Sequence, residues 1–297
     1  MLPKLDFKNK TVLITGSTRG IGYGLAEHFA SLGANLVVNG TNEDLVTKAV
    51  AALQNEGARV AGIALPVTRG EDIVAFALDA FPRVDVVINN AGIVRDSQFH
   101  NMSLEAWDEV YRVHLEGSFR ITRAMWPHFM SSGGGRVLMM SSDAGLFGNY
   151  GQSNYSAMKA GMIGFTKALA IEGKRYGIKV NAICPAANTD MTEALMKPVL
   201  KKHFTTDKIS PVAAYLCHDF CSDSGSVVSA GAGLIAKGRY QYNEVMIEDG
   251  QSFSIDDVHR VWPEISRFET NVSYPTKLSS LYKRLVAAIE GGRTLRG

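Results

Sequence analysis

The 297 residues are 46% hydrophobic and 20% charged, with 31 basic against 29 acidic groups and a formal net charge of +2. This balance excludes a disordered or collagen-like chain, and it supplies no concentrated basic face for nucleic acid or a membrane surface. The 29 Gly against 9 Pro point to many places where the backbone turns sharply or is closely approached.

Residues 1–10 interleave Lys and Asp with single apolar residues and build no secretion signal. No run of about 18 apolar residues predicts a membrane span. From there to about residue 235, short β-branched runs alternate with helical patterns. The runs fall at 11–15, 35–39, 59–65, 84–89, 136–141, 179–183 and 226–230. The helical patterns fall at 21–32, 43–57, 71–80, 104–130, 154–176 and 207–220. This alternation predicts βαβ units, hence an α/β Rossmann fold with a doubly wound, seven-stranded parallel sheet and helices on both faces. Gly33, Gly57 and Gly177 stand where left-handed helix caps are needed. Beyond residue 238 the chain turns polar. Ser254-Ile-Asp-Asp starts a helix with N-capping chemistry, and 278–289 reads as a second amphipathic helix. With no linker between them, residues 1–238 form the expected dinucleotide-binding and catalytic domain, and 239–297 an extension packed on it.

Three cysteines, Cys184, Cys217 and Cys221, are too few and odd in number for a disulfide framework, so a reducing compartment is expected. The final Leu295-Arg296-Gly297 matches neither a peroxisomal nor an endoplasmic-reticulum address, which makes the expected location cytoplasmic. Cys217, His218 and Cys221 fall on one predicted helix, but no second pair completes a tetrahedral set and no metal is expected. Cys184 reads as a small buried residue.

The segment Thr15-Gly16-Ser17-Thr18-Arg19-Gly20-Ile21-Gly22 joins the first strand to the first helix. Glycines there allow a sharp turn and close approach of a pyrophosphate to the helix N-terminus. Tyr155 and Lys159, at i and i+4, share one helix face, and the Lys159 ammonium is expected to lower the phenol pKa toward working pH. Such a tyrosine can give a proton to a carbonyl oxygen or take one from an alcohol. Ser142, at a strand end thirteen residues before Tyr155, can hydrogen-bond the same oxygen. No side chain supplies hydride, so a nicotinamide must.

The T-G-x-x-x-G-x-G spacing, Asn89-Asn90-Ala91-Gly92, Tyr155-x-x-x-Lys159, Ser142, and Pro185 with Thr189 resemble the short-chain dehydrogenase/reductase family in order and position over residues 11 to about 235. Ala186 stands where the family has glycine in its P-G-x-x-x-T segment. The resemblance implies cofactor contacts from Gly16, Ser17, Arg19, Gly20, Ile21, Gly22, Thr41, Asn90, Ala91, Gly92, Tyr155, Lys159, Pro185 and Thr189. It implies catalysis by Ser142, Tyr155 and Lys159. His114 replaces the family's usual asparagine, as in the (3R)-hydroxyacyl-CoA dehydrogenase units of multifunctional β-oxidation enzymes, where it would support a proton relay. Segments 148–155, 169–173, 215–218 and 231–238 also resemble that subgroup. The implied substrate is a (3R)-3-hydroxyacyl-CoA or its 3-oxo partner. A steroid or other hydrophobic ketone is the alternative, and a non-catalytic cofactor-binding regulator the alternative of another class.

Two readings compete for the nucleotide. The end of the second strand, Asn39-Gly40-Thr41-Asn42, lacks the acid that would bond an adenosine ribose, and Arg19 can face a 2′-phosphate, which favours NADP. The subgroup itself uses NAD, which remains the alternative. Met191 and Met196 fall in a segment resembling the family's substrate lid and would suit an acyl chain. The helices near 104–130 and 154–176 resemble the family's subunit contacts, implying a homodimer, with a tetramer as the other possibility.

Overall fold

The computed structural model describes residues 5–187, 202–239 and 254–266. Thr189, Met191, Met196 and the amphipathic stretch 278–289 lie outside the described residues.

Among the described residues eight strands form one sheet in the order β3-β2-β1-β4-β5-β6-β7-β8. They are β1 Thr11–Ile14, β2 Asn35–Gly40, β3 Val60–Ala64, β4 Val86–Asn89, β5 Gly135–Met140, β6 Ile178–Pro185, β7 Val227–Gly231 and β8 Leu234–Gly238. The first seven pair in parallel, as their sequence alternation with helices requires. The eighth corrects the expected count. It runs antiparallel to β7 through a two-residue hairpin at Ala232 and Gly233, whose φ values of 50° and 87° are those of a primed turn. Ala232 is the one residue there that carries no glycine signal, and the hairpin was therefore not legible.

The helices are α1 Gly20–Ser31, α2 Glu43–Asn55, α3 Gly70–Ala80, α4 Leu104–Tyr111, α5 Gly117–Ser131, α6 Asp143–Phe147, α7 Ser153–Gly173, α8 Ser210–Cys217 and α9 Ile255–Ile265. Period-2 alternation divides the strand residues between two layers. Val12 and Ile14 of β1 pack with Leu25 and Phe29 of α1, Leu53 of α2 and Leu216 of α8. Leu13 faces the other way, with Ile73 of α3, Ile121, Met125 and Phe129 of α5 and Met162 of α7. Gly33, Gly57 and Gly177 take the left-handed conformation expected of them. Ser254 caps α9 as its sequence predicts: its Oγ accepts from Asp257 N at 3.3 Å, and Asp257 Oδ2 accepts from Ser254 N at 2.8 Å.

The strand order reverses at β1, which lies between β2 and β4. In a doubly wound sheet the crevice at that reversal, beyond the carboxyl ends of the strands, is where a ligand lies. The expected continuous helix over 104–130 is interrupted by a π-helical turn, Arg112–Glu116, between α4 and α5. A side-chain period does not report such a backbone shift; here it carries His114 into the interior, where it is 1% exposed.

Candidate active site

The crevice is a cleft of about 320 Å³ lined by the carboxyl ends of β1 through β6. One end is the turn from β1 into α1. The first turn of α1 has no side-chain cap and no acidic residue, so its backbone N–H groups are left for an anion. α2 differs, being capped by Asn42 and carrying Glu43 and Asp44 in its first turn. A Cβ at Gly22 would lie 2.3 Å from Gly16 O and 2.4 Å from Asn90 Nδ2, so only glycine lets the helix start press into the turn. Asn90 holds that turn to β4: its Nδ2 donates to Thr15 O at 2.9 Å and Gly16 O at 3.0 Å, while Thr15 Oγ1 accepts from the Asn90 and Ala91 amides, each at 3.0 Å.

Of the residues expected at a nucleotide, Gly16, Arg19, Gly20, Ile21, Gly22, Thr41, Asn90, Ala91, Gly92, Tyr155, Lys159 and Pro185 all line this cleft. Ser17 does not. It is completely buried, its Oγ donating to Ile14 O at 2.7 Å and accepting from Asn39 N at 3.1 Å, and it ties the turn to β2. Thr189 lies outside the described residues. The cleft adds a wall absent from the expectation: Leu65, Pro66, Val67 and Thr68, beyond the end of β3. Their position just past the carboxyl end of a parallel strand was the signal that could have identified them.

Among the described residues the cleft lining contains no Asp or Glu, and its basic side chains besides His114 are Arg19 and Lys159. Asn39, where an acid would distinguish the ribose, spends its Nδ2 on Leu65 O at 2.8 Å and Ile63 O at 3.3 Å, bracing β2 against β3. Cradle and uncapped helix start together fit the pyrophosphate of a dinucleotide.

At the other end of the cleft stand Tyr155, Lys159 and His114. The His114 and Tyr155 rings meet edge-on with centroids 5.3 Å apart. Lys159 Nζ lies 5.4 Å from the Tyr155 ring centroid and donates to Met140 O at the end of β5. Ser142 caps α6, its Oγ accepting from Ala144 N at 3.1 Å, and it lies near enough to the Tyr155 phenol to favour its ionised form. The half-buried Ser142 is not among the residues that line the cleft, whereas its neighbour Ser141 is.

The electrostatics correct one expectation. Burial, the largest influence on Tyr155, pushes its phenol up to about 12, and the nearby Ser142 hydroxyl offsets only part of this. Burial likewise pushes Lys159 down to about 7. At 3% exposure the amine is too poorly solvated to hold a full charge at neutral pH and to draw the phenol down. Spacing at i and i+4 placed the pair on one face correctly, but the sign of the shift depends on burial. The resting phenol is a proton donor.

His114 is neutral, pushed well below its ordinary value by burial and then by the Lys159 charge. Its Nε2 lies 2.7 Å from Ile93 O and 3.1 Å from Ile93 N. With the proton assigned to Nε2 by the shorter contact, Nδ1 is a buried acceptor with no hydrogen-bond partner among the described residues. Cys217 and Cys221 are buried in the layer under α1, and the helix containing Cys217 ends there, so the two cysteines do not share it. Among the described residues no group of three or more His, Cys, Asp or Glu could hold a metal ion, and no helix is long and apolar enough to cross a membrane.

The short chain dehydrogenase family model matches residues 10–199. The peroxisomal multifunctional enzyme A of Dictyostelium discoideum is 39% identical over 96% of this chain and 66% of its own length. A 3-oxoacyl-[acyl-carrier-protein] reductase of Synechocystis is 40% identical over 65% of this chain and 80% of its own. Among solved structures, the full-length peroxisomal multifunctional enzyme type 2 from Drosophila melanogaster superposes with a TM-score of 0.77 at 28% identity, covering 97% of this chain and 50% of that one. The chain spans 32% to 66% of the length of the first three curated relatives it matches. A family match over 190 residues that includes the glycine turn, Ser142, Tyr155 and Lys159 leaves one assignment: the chain belongs to the short-chain dehydrogenase family, oxidoreductases that act on CH–OH groups with NAD(P).

Proposed function

We propose that the chain interconverts a (3R)-3-hydroxyacyl-CoA and its 3-oxoacyl-CoA, with NADP(H) as the preferred nucleotide. The observation that carries the reading is a protonated, half-buried Tyr155 near Ser142 at one end of a cleft whose other end is the glycine turn. The nicotinamide, when bound, supplies or accepts the hydride. Tyr155 gives its phenolic proton to the carbonyl oxygen in reduction and takes it back in oxidation. Ser142, near that phenol, donates to the same oxygen as negative charge develops. Lys159 holds the ribose and feeds the phenol, and the vacant Nδ1 of neutral His114 accepts a proton in the chain leading away from it.

The acyl thioester is favoured by the relatives, which include a reductase named for a 3-oxoacyl carrier protein and peroxisomal multifunctional enzymes, and by the subgroup resemblance that His114 carries. A steroid or other hydrophobic ketone is the second reading. Initial rates on 3-oxoacyl-CoA and on free hydrophobic ketones, each with NADPH and NADH, test both choices. Turnover confined to free ketones would move the assignment to the second reading, and inertness toward both would favour a cofactor-binding regulator.

For the nucleotide, Arg19→Ala is expected to raise the Kd of NADPH about tenfold while changing that of NADH less than twofold, read by cofactor fluorescence. Equal losses would mean that Arg19 does not face the 2′-phosphate. The same reading places Thr189 at the nucleotide and residues 239–297 in an extension of the one domain. A homodimer, or a tetramer, is supported by exposed apolar side chains on the helices expected at subunit contacts: Leu104 on α4, Phe119 and Met130 on α5, and Ile171 on α7. Sedimentation equilibrium reads this directly. The cytosol is kept as the compartment on the three free, buried thiols. The peroxisomal names of several relatives make that organelle the alternative, which fractionation distinguishes.

A further inference from the structure

The proton path uses Ser142 but not the acid beside it. Asp143 is the first residue of α6 and only 4% exposed. Its Oδ1 accepts a hydrogen bond from Ser229 Oγ, on β7, at 2.6 Å. On its other side α6 meets α7 so closely that a Cβ at Gly145 would lie 2.7 Å from the backbone of both Lys159 and Ala160. A five-residue helix has no stability of its own. It stays in place because it is gripped between β7 and the helix that carries Tyr155 and Lys159. Ser142, its N-cap, sits at the edge of that grip.

The charged and titratable groups around the carboxyl are Cys184 on β6, whose thiol it helps keep neutral, and beyond it Lys159 on α7. Burial raises Asp143 to about 6, so an ionised carboxylate is held here against the preference of the fold. A well-packed apolar residue would cost the fold less, and a costly buried polar group beside a reacting site argues for a role in function.

We infer that Asp143 is a positioning residue: through its hydrogen bond to Ser229 it fixes α6 against β7 and so aims the Ser142 hydroxyl at Tyr155 and the substrate oxygen. This rests on the roles given above to Ser142 and Tyr155. The test compares Asp143→Ala, Ser229→Ala, the double variant and Asp143→Asn, which keeps an acceptor for Ser229. Each alanine variant should lower kcat by about 10- to 100-fold, the size expected of misplacing a catalytic group, with KM and NADPH affinity unchanged. The double variant should be no worse than either single one, because both break the same bond, and Asp143→Asn should restore most of the loss. Independently of turnover, hydrogen exchange at the Ala144 amide, which donates to Ser142 Oγ, should quicken in both alanine variants and not in Asp143→Asn.

Unchanged exchange overturns the inference, as does quickened exchange with an undiminished kcat, additive losses in the double variant, or no rescue by asparagine. Should Asp143→Ala fail to fold, Ser229→Ala and Asp143→Asn carry the same comparison. A wild-type protein inert toward every carbonyl and alcohol offered would instead sink the functional reading, and the exchange measurement would still decide whether Asp143 holds Ser142.

Discussion

Replacing Tyr155 by Phe is expected to lower kcat for 3-oxoacyl-CoA reduction by about 10³-fold while leaving NADPH affinity within about a factor of two. The magnitude follows from removing a positioned general acid, which contributes 10²- to 10⁴-fold. The preserved affinity follows from the phenylalanine keeping the ring that packs edge-on against His114. Only the hydroxyl near Ser142 is lost. The pH dependence carries a sign that a lysine-activated phenolate would not give. Burial keeps the phenol protonated, near 12 in the free protein, so reduction needs no prior protonation and should hold its rate from pH 6 to 8. Oxidation needs the phenol to accept a proton, so it should climb as pH rises. A reduction rate that increases steeply with pH, or an active Tyr155→Phe protein, would remove Tyr155 from the role.

What could be read from the residues divides by the kind of physics involved. Fixed covalent spacing was legible: Gly16, Gly20 and Gly22 in the β1–α1 turn, Asn90 opposite it, and Tyr155 with Lys159 on one helix face all occupy the cleft. Strand and helix periods were legible too, because a sheet buried on both sides demands apolar runs, and all seven parallel strands lie where those runs are. Three things depended on the tertiary fold. The direction of the Tyr155 and Lys159 shifts is decided by desolvation, which no spacing reveals. Ser17 turns inward because Asn39 N needs an acceptor from it, a requirement set by a strand 22 residues away. The wall at Leu65–Thr68 exists because β3, at the sheet edge beyond β2, ends on the same side of the sheet as the other cleft-lining strands. The same dependence explains His114, whose place in the catalytic segment was recognised although the π-helical turn that buries it was not.

Lys159→Met should separate stability from activity in opposite directions. The folded protein holds Lys159 near 7, whereas an unfolded lysine titrates at 10.5. Between those values the unfolded chain binds a proton that the native state has released, so this group makes stability increase as pH rises from 7 to 10.5 and adds no further slope below 7. The slope is at most about 1.4 kcal/mol per pH unit, so urea unfolding at pH 7 and pH 9 should differ by roughly 2 kcal/mol more in wild type than in Lys159→Met. Methionine also forfeits the hydrogen bond to Met140 O, leaving a buried carbonyl at a cost of about 1–3 kcal/mol. The relieved desolvation of the amine, about 4–5 kcal/mol from the same shift at pH 7, is larger, so the variant should be the more stable protein there. Its kcat should nevertheless fall by about 10²-fold or more, because the phenol loses the amine that feeds it protons and the ribose loses its amine partner. A Lys159→Met protein that is less stable at pH 7 would show that the amine is solvated in the native state. One that retains its turnover would show that Tyr155 exchanges its proton by another route, leaving His114 as the group to test.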